Sequence, residues 1–308
     1  MTNLDPSRRP RTYSGVMDIA VLGATGTIGT LISDRIEAAG HEVRRLSRRA
    51  GVNTETGEGL DTALDGADVV VDAVNINSIR ASRAVPFFAR SAKNIAEAAK
   101  KGGVGRVVCV SIAGVTKPGA GKHFGYYRGK SAQERGYRAA PIPITVIRSA
   151  QWFDLAESML AQASLGPVAV LPTMRIAPLA VERAADHIAH EIIETGRGTV
   201  PEVVPGQNAR FATAYGEDPT NRIVRMRGPE IMTSADLVRT TLEARGSLAG
   251  RSPSVVTQLP YLGRPLAEGL LIPRSRSTII DDLTLGEWLA QSASDSSASA
   301  PTPASAAH

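Results

Sequence analysis

Short apolar runs with no polar alternation recur along the first half of the chain, separated by longer stretches of helical period. "MDIAVLGATG", "DVVVDAVN", "VGRVVCVSIAG" and "IPITVIRSAQWF" are of the first kind, the pattern of strands buried on both faces. "HEVRRLSRR" reads as a further strand. Between them, "TIGTLISDRIEAAG" places Ile28, Leu31, Ile32 and Ile36 on one helical face, and Gly40 stops the helix. "LDTALDGA" is a short helix and "YYRGKSAQERGYRAA" a longer one. "ASRAVPFFARSAKNIAEAAKKGG" is a long helix with Phe87, Ile95 and Ala98 toward the core. Strands alternating with helices make βαβ units. The expected fold is therefore an α/β, Rossmann-like, doubly wound and mostly parallel sheet.

Beyond Phe153 the pattern thins. "FDLAESMLAQAS" is helical, "GPVAVLP" extended and "PLAVERAADHIAHEIIET" a helix with Pro178 near its start. "RIVRMRGPEIMTSADLVRTTLEARG" supplies a strand, a Thr/Ser cap and a helix. These elements read as a small C-terminal substrate lobe packed against one edge of the sheet. Gly196–Arg222 is long and polar and fits no element. The expected organisation is a loose tail over 1–16, a sheet-forming core over 17–153, the rest of the fold and the lobe over 154–291, and a disordered Ser/Ala/Pro-rich tail over 292–308.

Composition narrows the function classes. The 308 residues are 43 % apolar and 21 % charged, an ordinary globular balance, with aromatics at 4 %. A core of Val, Ile, Leu and Ala is implied. The net charge of +5 suits an anionic partner, but no stripe of Arg and Lys interleaved with aromatics points to nucleic acid. The one cysteine, Cys109, excludes an internal disulfide and reads as a small buried hydrophobe. His187 and His190 share a helical face without a third ligand, so no metal site is expected. No run approaches the roughly 18 apolar residues of a membrane helix. The basic start "MTNLDPSRRPRTYSGV" reads as a tail, and a cytoplasmic protein with no membrane partner is expected.

The heptad "GATGTIG" gives this frame its chemistry. It follows a buried strand and opens a helix, the position in which a glycine turn cradles a pyrophosphate. Gly23 permits the tight turn, Gly26 admits a close backbone approach, and Gly29 allows close helix–strand packing. Thr25, Thr27 and Ile28 complete the loop, whose backbone N–H groups at the helix start would meet the phosphates. At the end of the second strand an NAD site places a carboxylate. Here stand Ser47, Arg48 and Arg49, and guanidinium forks match a 2′-phosphate. NADP, with NADPH preferred over NADH, is the expected cofactor; a solvated basic corner is the plainer alternative.

Tyr126 and Lys130 in "YYRGK" lie four apart on one helical face, where an ammonium near a phenol stabilises the phenolate. Such a phenol exchanges a proton with a carbonyl or alcohol oxygen. Ser111 ends the preceding strand and can steady the same oxygen. Tyr127 is three from Lys130, so either tyrosine can face it. Trp152 and Phe153 offer an apolar wall for a flat substrate, or core.

"VLGATGTIG", "SIAG", "YYRGK", "QERG" and "ITVIRSAQWF" resemble the atypical short-chain dehydrogenase/reductase group, particularly its NmrA-like NAD(P)-binding members. The resemblance covers Met17 to Glu243, with a weaker echo at "TLGEWLA". It implies a Rossmann-like sheet with a small lobe over the substrate cleft. It assigns Gly23, Gly26 and Gly29 to the pyrophosphate loop, Arg48 to the 2′-phosphate and Lys130 to the nicotinamide ribose. Ser111 and Tyr126 take approximate catalytic positions. Two departures stand out: "DAVNIN" replaces the usual Asn-Ala-Gly stretch, and "AGVTKPGAGKHFG" separates Ser111 from Tyr126. The family also holds NADP sensors and quinone or flavin reductases that do not use the tyrosine as an acid. The expected function is an NADPH-dependent oxidoreductase of a small carbonyl, enone or quinone, acting as monomer or homodimer. A nonenzymatic NADP-binding regulator and a nucleotide-sugar epimerase-like enzyme are the alternatives.

Overall fold

The computed structural model describes residues 15–76, 78–121, 124–196 and 221–298. Its frame is a run of parallel strands joined by helices. β1 (Asp18–Leu22) leads through α1 (Thr27–Ala38) to β2 (Glu42–Leu46) and a 3-10 turn at Arg48–Ala50. α2 (Leu60–Leu64) and β3 (Val69–Asp72) follow, then α3 (Ala81–Lys101), β4 (Arg106–Ile112), α4 (Gly125–Arg138) and β5 (Ile144–Ser149). Every residue of β3 is buried, as a continuous Val run requires when helices cover both faces.

On one face α1 lays Ile28, Ile32 and Ile36 against β1 and β3. α6 (Val181–Gly196) joins it there through Ala184, Ile188 and Ile192. Side chains of this size, taken wholly out of water, contribute about 1.5–3 kcal/mol each. The other face is covered by Leu60 and Leu64 of α2, Ile95 and Ala99 of α3, and Tyr137 of α4. Phe87, Ile95 and Ala98 are buried as the periodicity predicts, and Cys109 sits in the same core.

The second half of the chain divides its elements. α5 (Leu155–Ala163), β6 (Ser164–Leu165), β7 (Val168–Pro172) and β8 (Arg175–Ile176) precede α6; β9 (Asn221–Arg227), β10 (Met232–Thr233), α7 (Ser234–Arg245), β11 (Val255–Leu259), α8 (Arg264–Ala267), β12 (Thr278–Ile280) and α9 (Leu285–Ala298) follow it. Among the described residues the main sheet has the order β12-β9-β5-β4-β3-β1-β2, parallel throughout. β9, which the sequence pattern assigns to the lobe, thus lies in the main sheet beside β5, with Val146 opposite Ile223. Val224 and Met226 turn into the core on one face, and Ile223 packs against the core on the other.

The remaining elements form a lobe with its own apolar core. Phe153, Leu160, Leu171, Leu237 and Trp288 meet there, and the ring centroids of Phe153 and Trp288 stand 5.2 Å apart. α7 starts as its sequence demands: Thr233 and Asp236 form a reciprocal capping box. α9 runs to Ala298, so the first part of the Ser/Ala-rich end is helical. Ser292 and Ser294 satisfy their hydroxyls on the carbonyls of Trp288 and Ala290, which lets the helix continue. The expected N-terminal tail, apart from residues 15 and 16, and the polar segment after Gly196 up to residue 220 lie outside the described residues.

Candidate functional site

Strand order reverses between β1 and β3, and the carboxyl ends of β1, β3, β4 and β5 open onto one cleft of about 870 Å³. The glycine turn forms one rim. Gly23 has φ +79, and a Cβ there would stand 2.8 Å from the Ala73 carbonyl oxygen. A Cβ on Gly29 would lie 2.2 Å from the Gly23 oxygen, so α1 can approach the turn this closely only with glycine. Gly26 differs from both. Its φ is ordinary, it is exposed, and a Cβ would find only the Gly23 oxygen, at 3.4 Å. It is the N-cap of α1 with no side-chain cap, and no acidic residue stands in the first turn. Gly26, Thr27 and Ile28 line the cleft, while Thr25 is exposed beside them. An uncapped helix start with open space outside it fits a pyrophosphate.

The turn is tied to the end of β2. Gly23 N–H and Ala24 N–H both donate to the Leu46 carbonyl, at 3.1 and 3.2 Å. The chain leaves the sheet there through Ser47, whose hydroxyl caps the 3-10 turn by accepting from Ala50 N–H. Arg48 and Arg49 on that turn are exposed. Among the described residues neither makes an ion pair, and Arg48 adds to the positive field that lowers the Glu55 carboxyl. Both arginines therefore follow the strand end to which the glycine turn is bonded, and neither lines the cleft.

α4 supplies the floor. Tyr126, Lys130 and Glu134 fall on one face, four residues apart. Tyr126 is half-buried and lines the cleft, edge-on to Phe88 with centroids 5.8 Å apart. Burial pushes its phenol up to about 12, against the smaller opposing effect of a hydrogen bond with the Asn75 side chain. Tyr127 also borders the cleft but packs into the lobe core, where burial drives its phenol higher still. Lys130 is buried; its ammonium donates to the Val110 carbonyl at 2.7 Å and lies 4.9 Å from the Phe88 ring centroid. That leaves two further donors on Nζ. Ser111 lines the cleft, yet its hydroxyl donates to Glu134 Oε1 at 2.7 Å.

A buried polar layer beneath the cleft carries no signal strong enough to read from sequence alone. Glu134 accepts from Ser111, Arg148 and Arg138, and is itself fully buried. Asp72, also fully buried, accepts from Gln133 Nε2 and the Tyr137 hydroxyl, both at 2.6 Å. These pairs fix α4 against the ends of β3, β4 and β5. The far wall comes from the segment after β5. Trp152 lines the cleft and donates through Nε1 to Ser149 Oγ at 3.1 Å, whereas Phe153 turns into the lobe core. Gln151 lines the cleft as well, and neither Nε2 nor Oε1 of its buried amide has a partner among the described residues. A lone carboxylate ending a strand and a polar residue on the inner face of α4 are the traces these groups leave in the sequence. His187, away from the cleft, stands 2.8 Å from the Asp281 carboxylate.

A parallel sheet with a glycine turn at its switch point and a cleft across its carboxyl ends defines a Rossmann-like nucleotide-binding protein. Residues 23–163, a little under half of the chain, are similar to the NAD(P)H-binding family, and the fold is shared with solved epimerase and reductase structures. A nucleoside-diphosphate-sugar epimerase from Staphylococcus aureus is similar over 89 % of this chain and 99 % of its own, at 18 % identity and a TM-score of 0.57. The triphenylmethane reductase of a Citrobacter species, solved with NADP(H), covers the same shares at 15 % identity and 0.56. A short-chain dehydrogenase/reductase superfamily protein from Agrobacterium tumefaciens, with bound NAD, covers 91 % of this chain and 97 % of its own at 15 % identity and 0.58. No curated protein sequence matches the chain.

Proposed function

We propose that the protein is an NADPH-dependent reductase of a small carbonyl, enone or quinone. The observation that carries the reading is the placement of Tyr126 and Lys130, on one face of α4, in the same cleft as the uncapped glycine turn. Thr27 and Ile28 would hold the pyrophosphate through backbone N–H groups, with Gly26 admitting its close approach, Arg48 and Arg49 would hold the 2′-phosphate, and Lys130 the ribose next to the nicotinamide. Bound there, the reduced nicotinamide supplies a hydride. Tyr126 would then give its proton to the oxygen that gains negative charge. Burial raises the phenol, so it carries its proton at ordinary pH, the form that can donate. Trp152 flanks a flat substrate on the lobe side.

A specific feature favours the second reading, a regulator that binds NADP without turnover. The Ser111 hydroxyl and the Lys130 ammonium are both engaged by protein groups, at Glu134 and Val110, and neither is bonded to Tyr126. Direct hydride transfer to a quinone asks less of all three residues. NADPH oxidation with a carbonyl and with a quinone separates the cases. In a carbonyl reductase, Tyr126→Phe lowers kcat/KM by roughly 10²–10⁴ with NADPH affinity unchanged. Lys130→Met weakens both affinity and rate. The protonated phenol is the active form, so its contribution is lost only as pH rises toward about 12. An undiminished carbonyl rate in Tyr126→Phe removes the acid role, and binding of NADPH with no turnover of any acceptor establishes the regulator.

A further inference from the structure

The outer side of α4 borders a second cavity, of about 470 Å³, which shares no lining residue with the cleft. Val85 of α3, the loop residues Thr116, Lys117, Gly119 and Gly121, and Arg128, Ser131 and Arg135 of α4 surround it. Arg128, Ser131 and Arg135 follow one another at helical spacing, on the face opposite the buried Gln133. Three cations and two hydroxyl groups thus converge on a space whose lining contains no carboxylate.

Three contacts prepare these cations for a ligand. Arg128 lies flat against Gly121, where a Cβ would come within 2.5 Å of its Cγ, so the stem is guided before any ligand arrives. Arg135 donates from Nη1 to Ser131 Oγ at 2.8 Å, a contact that orients the guanidinium without neutralising it. Lys117 is held in the same way by the Leu270 carbonyl, at 3.2 Å. Among the described residues none of the three forms an ion pair. Glu134 on α4 is committed to Arg138 and Arg148, and Glu268, two residues before Leu270, to Arg264.

The geometry points to a separate anion site, in which Arg128, Arg135 and Lys117 take the phosphoryl group of a small molecule. Two planar forks and a point charge around one cavity suit a tetrahedral oxyanion carrying more than one negative charge. The volume leaves room for a group attached to the phosphate. The site stands independently of the cofactor reading, although α4 carries both.

Inorganic pyrophosphate is the probe, titrated at constant ionic strength into isotope-labelled protein while backbone amide shifts are followed. The expected result is saturable movement of the amides of Thr116, Gly119, Gly121 and the first turns of α4. A second titration uses the doubly reversed variant Arg128→Glu, Arg135→Glu. Both side chains are exposed, so the fold is kept, and affinity at these amides falls by at least about tenfold. The glycine turn is an internal control, since pyrophosphate bound there moves the amides of Gly23 to Gly29. Shifts confined to that turn, or an unchanged response of the Thr116–Gly121 amides in the variant, overturn the site.

Discussion

Gly26 and Gly29 belong to one loop, yet a side chain at each has opposite consequences. In Gly29→Ala the new Cβ would lie 2.2 Å from the Gly23 oxygen and 2.8 Å from its carbonyl carbon. Both atoms are backbone in a turn held by two hydrogen bonds to the Leu46 carbonyl, so relief means moving α1 or breaking those bonds. Overpacking of this kind costs about 1–3 kcal/mol, and an unyielding neighbour puts the cost near the upper end. At about 2–4 °C per kcal/mol for a sizeable domain, the melting temperature falls by roughly 4–12 °C. In Gly26→Val the backbone stands at φ −87 and ψ 162, an extended conformation that a β-branched residue adopts readily. The only neighbour is at 3.4 Å, so the fold is retained at a cost of at most about 1 kcal/mol for a poorer N-cap. The side chain instead occupies the approach to the helix start, and NADPH affinity falls by at least about tenfold. A thermal melt by circular dichroism and an NADPH fluorescence titration on both variants give the four numbers needed. Wild-type affinity in Gly26→Val, or wild-type melting in Gly29→Ala, would refute the division of labour.

Arg48→Glu weakens NADPH by about 2 kcal/mol and leaves NADH nearly unchanged, as calorimetric titration of both cofactors will show; equal weakening removes the basis for an NADP preference. Glu134→Ala strands Arg148, whose side chain is 11 % exposed, and costs about 3–5 kcal/mol in urea unfolding, whereas a loss below about 1 kcal/mol would mean that the pair does not secure α4. Gln151→Met removes an amide buried without partners and raises the stability of the ligand-free protein by about 1 kcal/mol, while a clear loss of stability would show that the amide is satisfied after all.

The strands and helices up to β5 were legible because each carries a local signature. Continuous Val and Ile runs mark strands covered on both faces, and the period of Ile28, Ile32 and Ile36 marks α1. The glycine turn was legible for the same reason, since strand, turn and helix stand together in sequence. β9 was legible as a strand but its place in the main sheet was not, because that depends on β5, α6 and β12, which are distant in sequence. The face of Tyr126 and Lys130 was readable from their spacing, but their partners were not. Nothing in "YYRGK" announces that the ammonium goes to the Val110 carbonyl, or that the Ser111 hydroxyl is claimed by Glu134. Those contacts arise only when α4 packs across the strand ends. The same holds for Asp72 and Gln151, whose roles come from burial and not from any local pattern.

The position of β9 beside β5 also governs how the chain must assemble. The lobe segments from α5 to β8 intervene between neighbouring strands of the main sheet, so the sheet cannot be completed until the intervening chain has returned to it. Pairing across so long an interval raises the contact order and slows the closing step of folding. A fragment that stops after β5 would leave that strand as an open edge lined by Val146 and Ile147, with α6 missing from the face it covers. Such an edge invites pairing with another chain. The nucleotide-binding half is therefore not a detachable unit, and excising it would trade a folded protein for an aggregating one.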